Sequence, residues 1–156
     1  MIEPITSLSK SHIVNKPWGH EIWIAPGNPS FPYVLKEIKI NTGFKSSLQF
    51  HVKKQETNLV LSGLGRLEYS EKLIDVNRYE LGDWPQLEMD KVLSTLKFIN
   101  LKKGSVFHMF PGMIHRVHSD DNLLMNECSS LEVDDVIRIQ DDSGRGSGRI
   151  PSEHGV

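Results

Sequence analysis

Apolar and polar positions alternate along this chain in short, strand-length stretches. Val34, Ile38 and Ile40 share one parity with Lys36, while Leu35, Glu37 and Lys39 take the other. One face of that segment is therefore mostly apolar and the second mostly polar, the mark of a half-buried strand. Similar runs at 21–25, 48–52, 59–61, 65–69, 95–101, 105–110 and 123–128 have Gly, Pro, Asn or Asp nearby, which predicts an all-β barrel or sandwich. Ser62-Gly63-Leu64-Gly65 lies between two of these runs and reads as the reversal of a hairpin, with glycines where positive φ is needed. Between about 71 and 94 the pattern blurs, with weak helical spacing from Leu87 to Leu96, and an insertion between barrel halves is expected. From Asp141 onward the chain is too rich in glycine and polar residues to bury much surface. The expected organisation is a single domain over 1–140 followed by a flexible tail over 141–156.

Composition narrows the function. A chain of 156 residues with 38% hydrophobic content supports one sizeable core. The formal net charge of -2 and pI near 6.4 provide no footprint for nucleic acid or an anionic membrane surface. Cys128 stands alone, so no internal disulfide forms, and no signal-like segment opens the sequence. No apolar run approaches the roughly 20 residues that span a bilayer. A soluble protein of the reducing cytoplasm is the expectation.

The candidate chemistry lies in two segments. Gly43 is followed at fixed intervals by Gln49, His51, Glu56 and Gly63, and Gln49 shares strand parity with His51. A later segment runs from Gly104 through His108 and Pro111-Gly112 to His115. Imidazole nitrogens with carboxylate and amide oxygens suit one borderline divalent ion, zinc, manganese, cobalt, nickel or iron(II), and spacing alone does not choose among them.

These segments resemble the two motifs of the cupins, and the match is better still to the cupin domain of type II phosphomannose isomerases. The resemblance rests on Lys16-Pro17-Trp18-Gly19, Ser47-Leu48-Gln49-Phe50-His51, Gly112 to His115-Arg116, and Asp134-Asp135-Val136-Ile137-Arg138. It implies a double-stranded β-helix, a jelly-roll-like barrel, with Gln49, His51, Glu56 and His115 as metal ligands. In that family glutamine is usual before the ligand histidine. The sequence departs from the family at Phe110, where a turn proline is common, at Ser119 and in the length between Gly63 and Gly104. The nucleotidyltransferase domain often fused upstream in the family is not expected here, because the sequence begins shortly before Lys16.

The resemblance implies an aldose-ketose isomerase acting on a sugar phosphate such as mannose 6-phosphate. His108 reads either as a wall histidine or as the group that moves the proton between carbons. Arg138 and Arg145 read as anion-binding groups at the barrel mouth or as exposed ion-pairing arginines, with Arg138 also a candidate for the catalytic set. Lys36, Lys45 and Lys54 are rim candidates for a phosphate, of which Lys45 and Lys54 match basic positions in the family. Trp18 is expected to pack the N-terminal strand onto the barrel. The alternatives are a sugar-binding or regulatory cupin without turnover, and an iron(II) dioxygenase using His51, Glu56 and His115. A homodimer through barrel edges is the expected assembly.

Overall fold

The computed structural model describes residues 4–152. After a short 3-10 turn at Leu8–Lys10, the strands are β1 (His12–Lys16), β2 (Gly19–Asn28), β3 (Phe31–Ile40), β4 (Leu48–Phe50) and β5 (Glu56–Ser70). Two helices, α1 (Val76–Glu80) and α2 (Gln86–Leu93), precede β6 (Leu96–Leu101), β7 (Val106–Met109), β8 (His115–Ser129), β9 (Ile137–Gln140) and β10 (Gly148–Arg149). Every strand pairing is antiparallel. The path runs β1-β2-β3-β8-β4-β9-β10, and β5 pairs with β6, β7 and β8. The all-β expectation holds. No helix among the described residues is long and apolar enough to cross a membrane.

The two 15-residue strands β5 and β8 form the central ribbon, with Glu56 opposite Ser129 at one end and Tyr69 opposite His115 at the other. Laid flat, that ribbon would hold Glu56 and His115 about 45 Å apart, at roughly 3.3 Å per residue. In the folded chain a carboxylate oxygen of Glu56 lies 3.5 Å from His115 Nε2. The ribbon is therefore folded over on itself, and the fold sits where the register slips, between Val60 and Gly65. Here the hairpin reading of the sequence is corrected. Residues 59–61 and 65–69 belong to one continuous strand, both paired with β8, and the glycines make a bulged corner instead of a reversal. Gly63 takes φ +84°, and a Cβ there would stand 2.3 Å from the carbonyl oxygen of Asn122 and 2.4 Å from that of Asp121. Asn122 itself takes φ 34° on the facing strand.

Beyond the corner each half of β5 takes a different outer neighbour, β7 beside 56–59 and β6 beside 65–70. The resulting barrel encloses an apolar cluster that includes Trp18, Ile38, Ile40, Val60, Met109, Leu123 and Met125. Trp18 packs there as expected. A second cluster lies on the other side of β4. Leu48 and Phe50 turn away from the cavity and meet Ile74, Val92, Ile114 and Ile137, with Tyr79, Trp84 and Met89 of the insertion packed on top. Phe50 and Tyr79 meet edge to face, ring centroids 5.0 Å apart. The insertion, helical over 86–93 as its spacing suggests, thus seals the back of the strand whose front carries Gln49. The stretch from Asp141, expected to be a flexible tail, folds back as far as residue 152: β10 pairs with β9, and Ile150 is buried with its N–H donating to the Val136 carbonyl. Its last four residues, 153–156, lie outside the described residues.

Gly63→Ala should destabilise the fold by about 1–3 kcal/mol from the positive φ, with steric overlap against two backbone carbonyls in addition. Gly104→Ala, at φ +87° with no atom within 4 Å of where the added methyl would stand, carries only the first penalty. Urea unfolding of both variants measures the difference, and equal losses would show that the corner is not tightly packed.

Candidate metal centre

His51 and Glu56 flank a four-residue loop between β4 and β5, and His115 opens β8 directly opposite Gln49. Each histidine is oriented by a backbone carbonyl. His51 Nδ1 lies 2.5 Å from the Asp135 oxygen, and His115 Nδ1 lies 2.9 Å from the Met113 oxygen. A carbonyl only accepts, so each Nδ1 carries a hydrogen and each Nε2 is the nitrogen turned inward. Both Nε2 atoms face the same oxygen, Glu56 Oε1, at 3.3 Å from His51 and 3.5 Å from His115.

Three potential ligand atoms thus converge, an arrangement that suits a divalent cation. Two metal–ligand bonds of about 2.1 Å at a tetrahedral angle span about 3.4 Å, which matches these separations. The other Glu56 oxygen, Oε2, is buried without a hydrogen bond, 3.2 Å from Lys54 Nζ. The donor set therefore fits a divalent ion, held by His51, Glu56 and His115. Burial pushes the His51 imidazolium down, keeping the ring in its ligating neutral form, against the pull of Glu56. Burial also opposes ionisation of Glu56, yet the Lys54 ammonium, with smaller contributions from Glu127, His115 and His51, holds it well below the usual carboxylate range. Gln49 lines the same cavity, and its Oε1 accepts from Ser47 Oγ at 2.6 Å. A carbonyl oxygen has a second lone pair, so this bond orients Gln49 without excluding it as a fourth ligand.

Asp135 holds the ligand loop from outside. Its carboxylate accepts the backbone N–H groups of Val52, Lys53 and Lys54 at 3.1, 2.6 and 2.8 Å, while its own carbonyl receives His51. Burial opposes the charge, but these three donors keep the Asp135 carboxyl below its ordinary value. Gly112 N–H completes the support by donating to the His51 carbonyl at 2.8 Å.

Beyond the ligands lies a chain of buried opposite charges. Lys54 Nζ is 3.3 Å from Glu127 Oε2, Glu127 Oε2 is 3.7 Å from Lys36 Nζ, and Lys36 Nζ is 3.2 Å from Glu21 Oε2. Trp23 donates to Glu21 at 3.0 Å and offers its ring face to Lys36, 4.3 Å from the ammonium. All of these charged side chains line the cavity, which spans about 650 Å³ including its open side. Burial, together with the Glu56 charge, pushes the Glu127 carboxyl up to about 8 despite Lys54 and Lys36.

The structure brings Gln49, His51, Glu56 and His115 together and separates the other candidates. His108 points outward from β7, between the inward Phe107 and Met109, with its Nδ1 2.9 Å from Thr57 Oγ1. A strand alternates faces, so it is excluded from the cavity. Lys45 pairs with Asp142 away from the cavity wall, and Arg138 on β9 does not line the cavity. Lys36 and Lys54 are interior groups rather than rim groups. Arg145 does reach the wall, already gripped by Asp141 at 2.9 and 3.1 Å. Sequence reasoning misses Glu21 and Glu127, although their signal is present: each shares strand parity with apolar residues, Glu21 with Trp23 and Ala25, and Glu127 with Leu123 and Met125.

Wild-type protein should bind one divalent ion, and Glu56→Ala or His115→Ala should bind none, by elemental analysis after dialysis. Asp135→Ala should bind it roughly 10–100-fold more weakly, the usual cost of losing an outer support. Calorimetry with the metal reads this directly, and an unchanged affinity would remove Asp135 from the site.

No protein-family model and no curated protein matches the sequence. Solved structures match its shape. Lactobacillus farciminis oxalate decarboxylase superposes with a TM-score of 0.60 at 14% identity, covering 84% of this chain and 34% of that one. Bacillus subtilis oxalate decarboxylase, described through its Mn(II) centers, gives 0.61 at 15% identity over 85% and 31%. The capsular polysaccharide assembling protein CapF of Staphylococcus aureus gives 0.59 at 12% identity over 84% and 32%. The chain spans about a third of the length of each. Identity this low speaks to architecture alone, and on that ground the chain has the cupin fold.

Proposed function

We propose that this chain is a metal-dependent aldose-ketose isomerase whose substrate is a small hydroxy-carbonyl sugar, a sugar phosphate such as mannose 6-phosphate being the one its sequence resemblance favours. The observation that carries the reading is the convergence of three acceptor atoms beside a second buried carboxyl that is not part of the donor set. A bound divalent ion supplies Lewis-acid polarisation of a carbonyl oxygen and the hydroxyl beside it. The protein's own residues supply the rest. His51, Glu56 and His115 hold the ion, with Gln49 beside them, and Lys54 steadies the outer oxygen of Glu56. Glu127 takes the proton role that the sequence suggests for His108: its carboxylate removes the proton from the carbon next to the carbonyl and returns it to the former carbonyl carbon, while the hydroxyl proton passes from the neighbouring oxygen to the former carbonyl oxygen. A carboxyl whose pKa lies close to neutral pH suits a group that must both take and give that proton. The name of CapF, a capsular polysaccharide assembling protein, supports a carbohydrate setting, and that of oxalate decarboxylase supports a small, oxygen-rich substrate.

In deuterium oxide, metal-loaded protein given mannose 6-phosphate should exchange the proton beside the carbonyl and form fructose 6-phosphate, both read by NMR. Glu56→Ala should abolish both signals, and Glu127→Gln should reduce them at least about 100-fold, the lower range for losing a general base. Silence of the metal-loaded wild type with this and other aldose phosphates would overturn the isomerase reading.

A further inference from the structure

Lys36 is only 1% exposed, and its wall position means that only the cavity gives access to it. It touches none of the proposed metal ligands. Its partners are Glu21, Glu127 and the face of Trp23. Burying such an array costs more than filling the same volume with apolar side chains. The metal needs neither Lys36 nor Glu21 for its coordination, so the array calls for another role.

Charge supplies it. Glu21, Glu56 and Glu127 against Lys36 and Lys54 leave one excess negative charge, and the Arg145–Asp141 pair adds none. A divalent ion reverses this to one excess positive charge. A low-dielectric cavity with residual positive charge favours an anion. Each of the cations at 36, 45 and 145 has a carboxylate partner, but Lys36 lies on the cavity wall beside the charge string, and its second contact, to Glu127 at 3.7 Å, is longer than a hydrogen bond and can yield to a ligand oxygen.

We infer that Lys36 is the anchoring group for the negative charge of an anionic ligand, a phosphate or carboxylate held inside the barrel and not at its rim. The inference rests on the cavity being the ligand site proposed above, but not on isomerase chemistry. Lys36 is a specificity-determining residue that selects charged over neutral ligands of the same size.

Sorbitol 6-phosphate and sorbitol isolate this property, because they share a carbon chain, differ in charge and lack the carbonyl needed for turnover. Calorimetry on metal-loaded wild type should show sorbitol 6-phosphate binding at least about 10-fold more tightly. Lys36→Met, checked for unchanged metal content and melting temperature, should bring that ratio close to one, Lys36→Arg should restore part of it, and Lys45→Ala should leave it unchanged. Equal binding of the two probes, no binding of sorbitol 6-phosphate, or a preference that survives Lys36→Met would overturn the inference, as would its loss in Lys45→Ala. If Lys36→Met does not fold, the wild-type ratio and the Lys36→Arg and Lys45→Ala values still decide. Charge preference without proton exchange on any aldose phosphate would retain this inference and discard the isomerase reading. Exchange that proceeds equally on mannose and mannose 6-phosphate would do the reverse.

Discussion

The fold and the site depend on one constraint, the folding over of the β5–β8 ribbon at its bulged corner. Without it the start of β5 and the start of β8 would lie at opposite ends of a long antiparallel pair, and Glu56 would never meet His115. Gly63, pressed against the carbonyls of Asp121 and Asn122, lets the two strands close to that distance while both change direction. The same bend gives β5 two different outer neighbours, which turns a ribbon into a barrel. Site assembly and barrel closure are therefore one event, and a change that opens the corner removes the metal centre with it.

The inside of this barrel is chemically divided. Toward Ile40, Val60, Met109 and Leu123 it is an ordinary apolar core, whereas around Lys36, Lys54, Glu56 and Glu127 it is a string of buried ions. Such a string is tolerable only if each charge has a neighbour of opposite sign, and the order Glu21, Lys36, Glu127, Lys54, Glu56 meets that condition. Support comes from outside the barrel as well. The helical insertion covers the back of β4, Asp135 gathers the ligand loop, and the segment after Asp141 lays Arg145 along the wall. The insertion is distant in sequence from the other two, yet each acts on the geometry of the same few side chains.

Much of this is legible in the sequence. The strand pattern and the weak helical spacing from Leu87 to Leu96 follow from parity and turn residues, and the resemblance to the cupin motifs points to Gln49, His51, Glu56 and His115, which the fold brings together. The errors have physical causes. Residues 62–65 read as a hairpin because glycine at positive φ serves equally in a reversal and in a bulge, and only long-range pairing separates the two. The tail after 141 reads as flexible because composition does not reveal that Ile150 finds a buried place beside Val136. His108 attracts attention for its pKa, but its strand runs Val106 out, Phe107 in, His108 out, Met109 in. Lys36 carries the plainest lesson. It sits at the parity of Val34, Ile38 and Ile40, and an ionisable residue at an apolar parity is better read as a buried functional group than as a solvated one.

Architecture does not select the chemistry here. Oxalate decarboxylase and CapF bear unrelated names and superpose on this chain equally well, so the fold is compatible with different reactions. What can discriminate is the inventory facing the ion. Two imidazoles and a carboxylate are a generic holder for a divalent cation. The carboxyl of Glu127, raised by burial and the Glu56 charge against the pull of two ammonium groups, is not generic, and on the proposed reading it is the group that moves the proton. Lys36 is a further step along the line, and its inferred role bears on which ligand enters rather than on what happens to it. The groups proposed for holding, proton transfer and selection thus lie in order along one line of buried charge.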